Sequence, residues 1–291
     1  MSQRWKGWSC LAECGKRMSQ PLVLFDTHVH LDQLTDPRRA IEEACAVGVV
    51  GMIAVGTRSS SNNRTLELSS RWHGLVFAAL GLHPGDIGGL NRTRLDMELK
   101  YIDDNLPLAC AVGEVGLDYH KRTLAGACRE LQKDVFKSVL EIACVHQKPV
   151  LVHSRYAWKD ALELVLQAGV QRAVFHWFTG FSSVLKGIID AGYHISATPA
   201  VEYHEEHRRA VKEVPLDHLL LETDAPVWYG RVERYESRPA DVVRSLQGVA
   251  LLREIPAEVV ASATTRAAMD LLGVASPNEH EEVINNDGTG R

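Results

Sequence analysis

Eight short apolar runs alternate with helical patterns along this chain, and that alternation predicts an α/β fold, a single (β/α)8 TIM barrel. Length agrees, since 291 residues is long for one open sheet and ordinary for a closed barrel. The third observation is that His, Glu and Asp recur at the ends of the runs, where a barrel keeps its chemistry. A doubly wound open sheet is the structural alternative for the same alternation.

The strand candidates fall at 22–28, 49–55, 75–82, 109–115, 149–154, 172–177, 192–197 and 218–224. Between the first two, Asp36-Pro37 reads as a helix cap and first-turn proline, with Ile41, Ala44 and Cys45 on one face and Gly48 past the end. Residues 128–146 carry Leu131, Val135, Val139 and Ile142 at helical spacing, and 158–168 is a helix closed by Gly169. Helices at 239–253 and 257–272 follow the last strand and are expected to cover the outside. The barrel is expected over 21–273. Residues 1–20 are expected to be a flexible extension: Arg4, Lys6, Lys16 and Arg17 break any apolar core and argue against a secretory signal. Met18-Ser19-Gln20 repeats Met1-Ser2-Gln3, which makes Met18 a candidate start, and 274–291, rich in Asn, Glu, Asp and Gly, reads as a disordered tail.

With 45% hydrophobic and 24% charged residues the composition is that of a soluble globular enzyme. A net charge of −5 excludes a broad basic field, so any contact with nucleic acid has to be local, at a site where metal ions supply positive charge. No apolar run reaches membrane-spanning length. The six cysteines are scattered like buried small hydrophobes, which points to a reducing, cytoplasmic setting; Cys10 and Cys14 lack the second pair that a zinc knuckle needs.

The first run ends in Phe25-Asp26-Thr27-His28-Val29-His30, and strand alternation puts His28 and His30 on one wall, half of a metal site. Later strand ends add His83, Glu114, His153, His176 and Asp224. Four imidazoles (His28, His30, His153 and His176) with two carboxylates can hold two divalent ions when one carboxylate bridges, and two ions about 3.5–4 Å apart can serve both the attacking and leaving oxygens of a displacement. Glu114 is the natural bridge, because its strand lies between those of the other ligands. Asp224 comes beside the first strand once the barrel closes, so it can complete one ion and act as base, which gives Asp224 and Glu114 the catalytic roles. Glu222, one layer deeper than Asp224, reads as a partner that orients a ligand. Tyr203, His204 and His207 read as loop surface after a strand that gives no ligand.

Together, Phe25 to Asp32, Gly81-Leu82-His83-Pro84, Gly113 to Tyr119, Pro149 to Arg155, His176-Trp177-Phe178-Thr179-Gly180 and Glu222 to Pro226 resemble the TatD family of metal-dependent deoxyribonucleases, within the amidohydrolase-like barrel superfamily. The motifs stand in the family's order and cover about 20–273. The resemblance implies that His28, His30, Glu114 and Asp224 bind one ion and Glu114, His153 and His176 the other. Histidine-rich ligation favours Zn or Mn, while the carboxylates and a phosphate substrate also admit Mg. The resemblance also implies that His83 and Arg155 face the substrate phosphate; Tyr119, on the loop after strand four, joins them as a candidate substrate contact against the reading of a solvated loop.

The chain departs from the family pattern at Trp177 and Thr179, at Glu236-Ser237-Arg238-Pro239, and near Thr265-Arg266-Ala267, where an asparagine is expected. None of these is a predicted ligand, but the first two could alter what fits the mouth. The expected activity is metal-dependent hydrolysis of phosphodiester bonds in DNA, of the 3′-5′ exonuclease type, by a monomer. The same water and base would also serve a deacylase or amidohydrolase, for example on an aminoacyl-tRNA, and an idle barrel acting as a binding module is the alternative outside enzymology.

Overall fold

The computed structural model describes residues 22–274. The expected extension 1–20, the candidate start at Met18 and all but the first residue of the expected tail lie outside them.

The chain alternates strand and helix from the start. β1 (Leu24–Val29) leads into α1 (Pro37–Ala46), β2 (Val49–Val55) into α2 (Ser59–Arg71), and β3 (Val76–Leu80) into α3 (Arg92–Asn105). β4 (Ala111–Gly116) is followed by a single turn, α4 (Lys121–Leu124), and the long α5 (Arg129–Val145). Then come β5 (Val150–His153), α6 (Trp158–Ala168), β6 (Ala173–Phe175), α7 (Ser182–Asp190), β7 (His194–Ala197), α8 (Glu205–Glu213) and β8 (Leu219–Leu221). A small hairpin, β9 (Trp228–Tyr229) and β10 (Tyr235–Glu236), overhangs the last strand before α9 (Val242–Arg253) and α10 (Ala257–Leu272).

β1 to β8 pair in chain order, all parallel, and a bridge from Val29 to Ala225 joins the two ends. The closed-barrel expectation holds. Closure is reinforced from the sides: Asp224 N donates to His28 O and His30 N to Ala225 O, both at 2.9 Å. The buried Asp26 carboxylate accepts from the hydroxyl and amide of Thr223 at 2.6 and 3.0 Å.

The expected caps are present where the chemistry demanded them. Asp36 accepts from Arg39 N at 3.0 Å with Pro37 in the first turn, and Gly169 ends α6 with a φ of 73°. Ala40, Ile41 and Ala44 are the buried face of α1, while Cys45 faces outward, because burial follows i, i+1 and i+4 here.

Strand alternation sorts the core into two layers. Ile53, Val55, Ala79, Ala111, Leu151, Val174 and Leu220 pack together inside the barrel. Their neighbours Met52, Ala54, Leu80, Val112, Val150, Val152, Phe175 and Leu219 pack outward with helical residues such as Ile41, Phe136 and Val165. α10 differs from its expected place on the outside. Its Ala267, Ala268 and Leu271 join the inner layer, and Thr265 Oγ1 donates to Val23 O just ahead of β1, so the helix plugs the N-terminal end. A run of small residues lets it enter that opening.

Candidate metal centre

The inner layer predicts what stands above it. Two residues beyond Leu151, Val174 and Leu220, on the same face, come His153, His176 and Glu222. An apolar floor therefore turns polar in a single step at the C-terminal end of three strands.

Glu114 breaks this parity. From inward-facing Ala111, plain alternation would turn residue 114 outward. β4 pairs Val112 with Val150 and Val115 with Val152, so three steps on β4 match two on β5. That bulge re-aims Glu114 into the barrel. The close fit on both sides requires glycine. A Cβ on Gly113 would stand 2.6 Å from Leu151 Cβ, and one on Gly81 would collide with the backbone oxygen of Glu114. Asn62, fully buried, holds Gly81 through both its amide (3.0 Å) and its carbonyl (2.9 Å).

Glu114 divides its two oxygens between two sets of imidazoles. Oε2 lies 3.5 Å from His28 Nε2 and 3.4 Å from His30 Nε2, and Asp224 Oδ1 lies 3.6 and 3.4 Å from the same nitrogens. Four donors around one ion at bonds of about 2.0–2.1 Å stand roughly 3.3–3.4 Å apart, so these four imidazole–carboxylate separations are near those of a coordination shell. Oε1 lies 2.6 Å from His153 Nδ1 and 2.8 Å from His176 Nε2, which are 3.1 Å from each other. That set is drawn in to hydrogen-bond range.

The residues fit divalent ions on a second count. His28 Nε2, which faces Glu114 and Asp224, is buried without a hydrogen-bond partner, an arrangement costly for a purely structural core. His30 Nδ1 lies 3.1 Å from the Val55 carbonyl, to which it can only donate, leaving the Nε2 lone pair free for a metal. His28 and His30, and His28 and His176, each form groups with a nearby carboxylate (Asp224 and Glu222) that could hold an ion.

The charges are tuned by one another. Burial opposes the charge on His30, but the Asp224 and Glu114 carboxylates push it up to about 10. Burial likewise works against Glu114, yet His83, His176 and His153 hold it well below the usual carboxylate range. Asp224 is held low by His30, His28 and His176 in the same way, and Glu114 with Glu222 raises His176 well above an ordinary histidine. The charge on His30 and His176 is what a divalent ion would replace.

His83 behaves differently. Its Nδ1 accepts from Gly85 N at 2.9 Å, so the neutral ring carries its hydrogen on Nε2, 3.7 Å from Glu114 Oε1. Burial pushes it down to about 3. A neutral N–H aimed into the site suits an anionic oxygen better than a metal, even though His83 also groups with Glu114 and His153.

The family enters from outside the site as well. The family model for TatD-related DNases matches residues 25–273. This chain belongs to the TatD family. The human protein named Deoxyribonuclease TATDN3 is 31% identical over 258 residues, covering 85% of this chain and 94% of that protein. The Bacillus subtilis metal-dependent hydrolase YabD is 30% identical, covering 87% and 100%. Among solved structures, the TatD homologue YJJV of Escherichia coli superposes with a TM-score of 0.78 at 28% identity, covering 87% of this chain and 98% of that one. As a TatD protein the chain is a metal-dependent hydrolase acting on ester bonds.

Two features of this TatD site escaped the sequence reading. Asp118, fully buried just past the end of β4, accepts from two donors of Arg155 (Nε to Oδ1, 3.1 Å; Nη2 to Oδ2, 2.6 Å) and faces His153 Nε2 at 3.6 Å. Its one mark in the sequence, a place four residues after Glu114, does not set it apart from a solvated acid. Arg155, expected at a phosphate, thus spends half its fork on Asp118 while half its side chain stays exposed. His207, read as loop surface, is fully buried: Nδ1 bonds Phe178 O at 3.0 Å and Nε2 accepts from Thr198 N at 3.1 Å, tying together the loops after β6 and β7. His204 and Tyr203 are half-buried, His204 capping α8. Tyr119 donates its hydroxyl to Asp160 at 2.7 Å under the Arg129 guanidinium. Glu222, expected to orient a ligand, lies 3.5 Å from His176 Nδ1 and accepts from Trp177 N at 3.0 Å; Trp177 reaches it with a φ of 40°.

Proposed function

We propose that this TatD protein is a deoxyribonuclease of the 3′-5′ exonuclease type, with a dinuclear site bridged by Glu114. The observation that carries the reading is the division of the Glu114 oxygens, one toward His28, His30 and Asp224, the other toward His153 and His176. The names of its relatives, deoxyribonuclease and metal-dependent hydrolase, support DNA as substrate.

His28, His30, Asp224 and Glu114 would hold one divalent ion and Glu114, His153 and His176 the other. Bound there, such ions supply positive charge for the phosphoryl oxygens and make a nearby water more acidic. Asp224, kept ionised by three imidazoles, accepts the proton of the attacking water on its carboxylate. His83 donates Nε2–H to a phosphoryl oxygen, and Arg155 adds the donors that Asp118 leaves unused. Asp118 and Glu222 stand behind His153 and His176 and fix their orientation. One chain supplies every residue named, so a monomer suffices. Among the described residues no helix is long and apolar enough to cross a membrane, and Cys110, Cys128 and Cys144 form no disulfide, which supports a cytoplasmic setting.

The test is product analysis of single- and double-stranded DNA labelled at either end, with purified protein and Mg, Mn or Zn in turn. Stepwise mononucleotide release from the 3′ end is expected. Faster turnover of an acyl ester than of an aryl phosphodiester, in one buffer with one metal, would make the site a deacylase instead.

A further inference from the structure

Beside the cluster, the same end of the barrel carries a row of rings that hydrolysis at phosphorus does not require. His120 and Tyr156 lie nearly parallel at 6.2 Å, Tyr156 meets Trp158 edge-on at 5.9 Å, and Trp158 meets Phe181 edge-on at 5.6 Å. The rings come from the loops after β4, β5 and β6 and the first residue of α6, next to the strands that deliver Glu114, His153 and His176.

Internal packing does not account for the row. Trp158 is half-buried against Gly180, where an added Cβ would meet its ring at 2.7 Å. Tyr156 and Phe181, however, are 59% and 67% exposed, so folding removes little of their surface from water. Tyr156 also holds a φ of 59°, a left-handed conformation that disfavours a bulky side chain. Tyr156, Trp158 and Phe181 line a cavity of about 240 Å³ together with Tyr119, Arg129 and Lys159.

The charge around the row identifies the occupant. Lys121, Arg122, Arg129 and Lys159 are exposed beside it, in a chain whose net charge is −5. The acid that lines the cavity, Asp160, is tied to Lys133 at 2.6 Å and to the Tyr119 hydroxyl. Lys159 has Glu163 at 3.7 Å, an exposed pair worth little. Flat apolar faces interleaved with cations are what an unpaired nucleic acid strand needs, rings for its bases and cations for its phosphates. An apolar peptide would leave the cations unused, and a duplex already stacks its bases on one another.

We propose that His120, Tyr156, Trp158 and Phe181 form a stacking platform for unpaired bases of a single-stranded nucleic acid whose reacting phosphate lies at the Glu114 cluster. The inference rests on the phosphodiesterase reading for its direction, since the strand runs from platform to cluster. Tyr156 and Phe181 are the outer contacts, each facing a base, with Trp158 as the fixed ring between them.

Binding is measured by fluorescence anisotropy with a labelled 12-nucleotide single strand, in chelator, so that no cleavage occurs. Tyr156→Ala and Phe181→Ala are each expected to weaken binding by about 5- to 150-fold, the worth of one base–aromatic stack, with unchanged melting temperature. Phe181→Tyr restores it, and Leu251→Ala, an exposed side chain on α9, leaves it as in the wild type. An abasic strand of equal length and a blunt duplex bind more weakly than the normal strand. Wild-type affinity in both alanine variants, equal affinity for the abasic strand or the duplex, or a wild-type protein that binds no strand overturns the platform. Hydrolysis of an aryl phosphodiester by the wild type is scored separately. Hydrolysis without strand binding sinks the platform and leaves the proposed function standing. Ring-dependent binding without hydrolysis does the reverse.

Discussion

Asp118 turns one oxygen toward both Arg155 and His153: its Oδ2 accepts from Nη2 of Arg155 at 2.6 Å and faces Nε2 of His153 at 3.6 Å. Burial works against that carboxylate, yet His153 and Arg155 hold it far below the usual range. Asp118→Asn keeps the size but gives up the charge, freeing the His153 ring to turn and the guanidinium to swing away. Loss of such a ligand-orienting partner lowers metal affinity by about 10- to 100-fold. Chelator competition with manganese or zinc reads that loss directly. An affinity equal to the wild type would reduce Asp118 to an anchor for Arg155.

The ligand set was legible because a barrel strand repeats every second residue. His28 with His30, and the steps from Leu151 to His153 and from Val174 to His176, need only alternation and a strand end. Glu114 was legible as a residue but not as a geometry, since its inward aim depends on a bulge that appears only when β4 is laid against β5. Asp118 and His207 lay beyond reach for a related reason. Each acts across loops, Asp118 from β4 to β5 and His207 from α8 to the loops after β6 and β7. No local pattern distinguishes such a residue from a solvated polar one. α10 was placed outside because its periodicity reveals a buried face and not which surface it is buried against.

The site's protons and a metal compete for the same nitrogens. In metal-free protein, carboxylates raise His30, His153 and His176 above an ordinary histidine, His30 to about 10. A raised pKa contributes stability that is whole below about pH 6.5 and is lost as pH climbs through about 10. The melting temperature of chelated protein should therefore fall from neutral pH toward pH 10, and added metal should release protons in calorimetry across two buffers. Metal affinity should drop as pH falls. Chelated protein that gains stability between pH 7 and 10 would show that these imidazoles are not charged in the absence of metal.

Gly81 supports Glu114 from the next strand. A methyl group there would strike backbone, which has no rotamer to yield, and would also strain the pair of bonds exchanged with Asn62. Gly81→Ala should cost on the order of 1–3 kcal/mol of stability, as overpacking does, and should weaken metal binding through displacement of Glu114. Thermal unfolding with and without metal separates the two effects. If stability falls while metal affinity holds, Glu114 is positioned by its own strand alone.

Asp224 tests the mechanism itself. It stands beyond the end of β8 with a φ of 50°, its amide bonded to His28 O, so the backbone is fixed independently of the carboxylate. Asp224→Asn retains the shape and one possible metal-binding oxygen but removes the base. General-base loss costs about 10²–10⁴-fold in rate, and that fall is expected in kcat, with folding and substrate affinity close to the wild type. The ion held by Glu114, His153 and His176 should remain. Glu114→Gln should fail in another way, loosening both ions together, because each of its oxygens faces a different set of imidazoles. The pair of variants therefore separates assembly from chemistry, provided metal content is measured on each before turnover. Wild-type kcat for Asp224→Asn under saturating metal would remove Asp224 as the base. His83 is then a poor substitute, since burial keeps it neutral and its Nδ1 is already occupied by Gly85 N, leaving only a hydrogen to give. The proton would have to leave through the substrate phosphate or solvent, and a pH–rate profile without an acidic limb would be its mark.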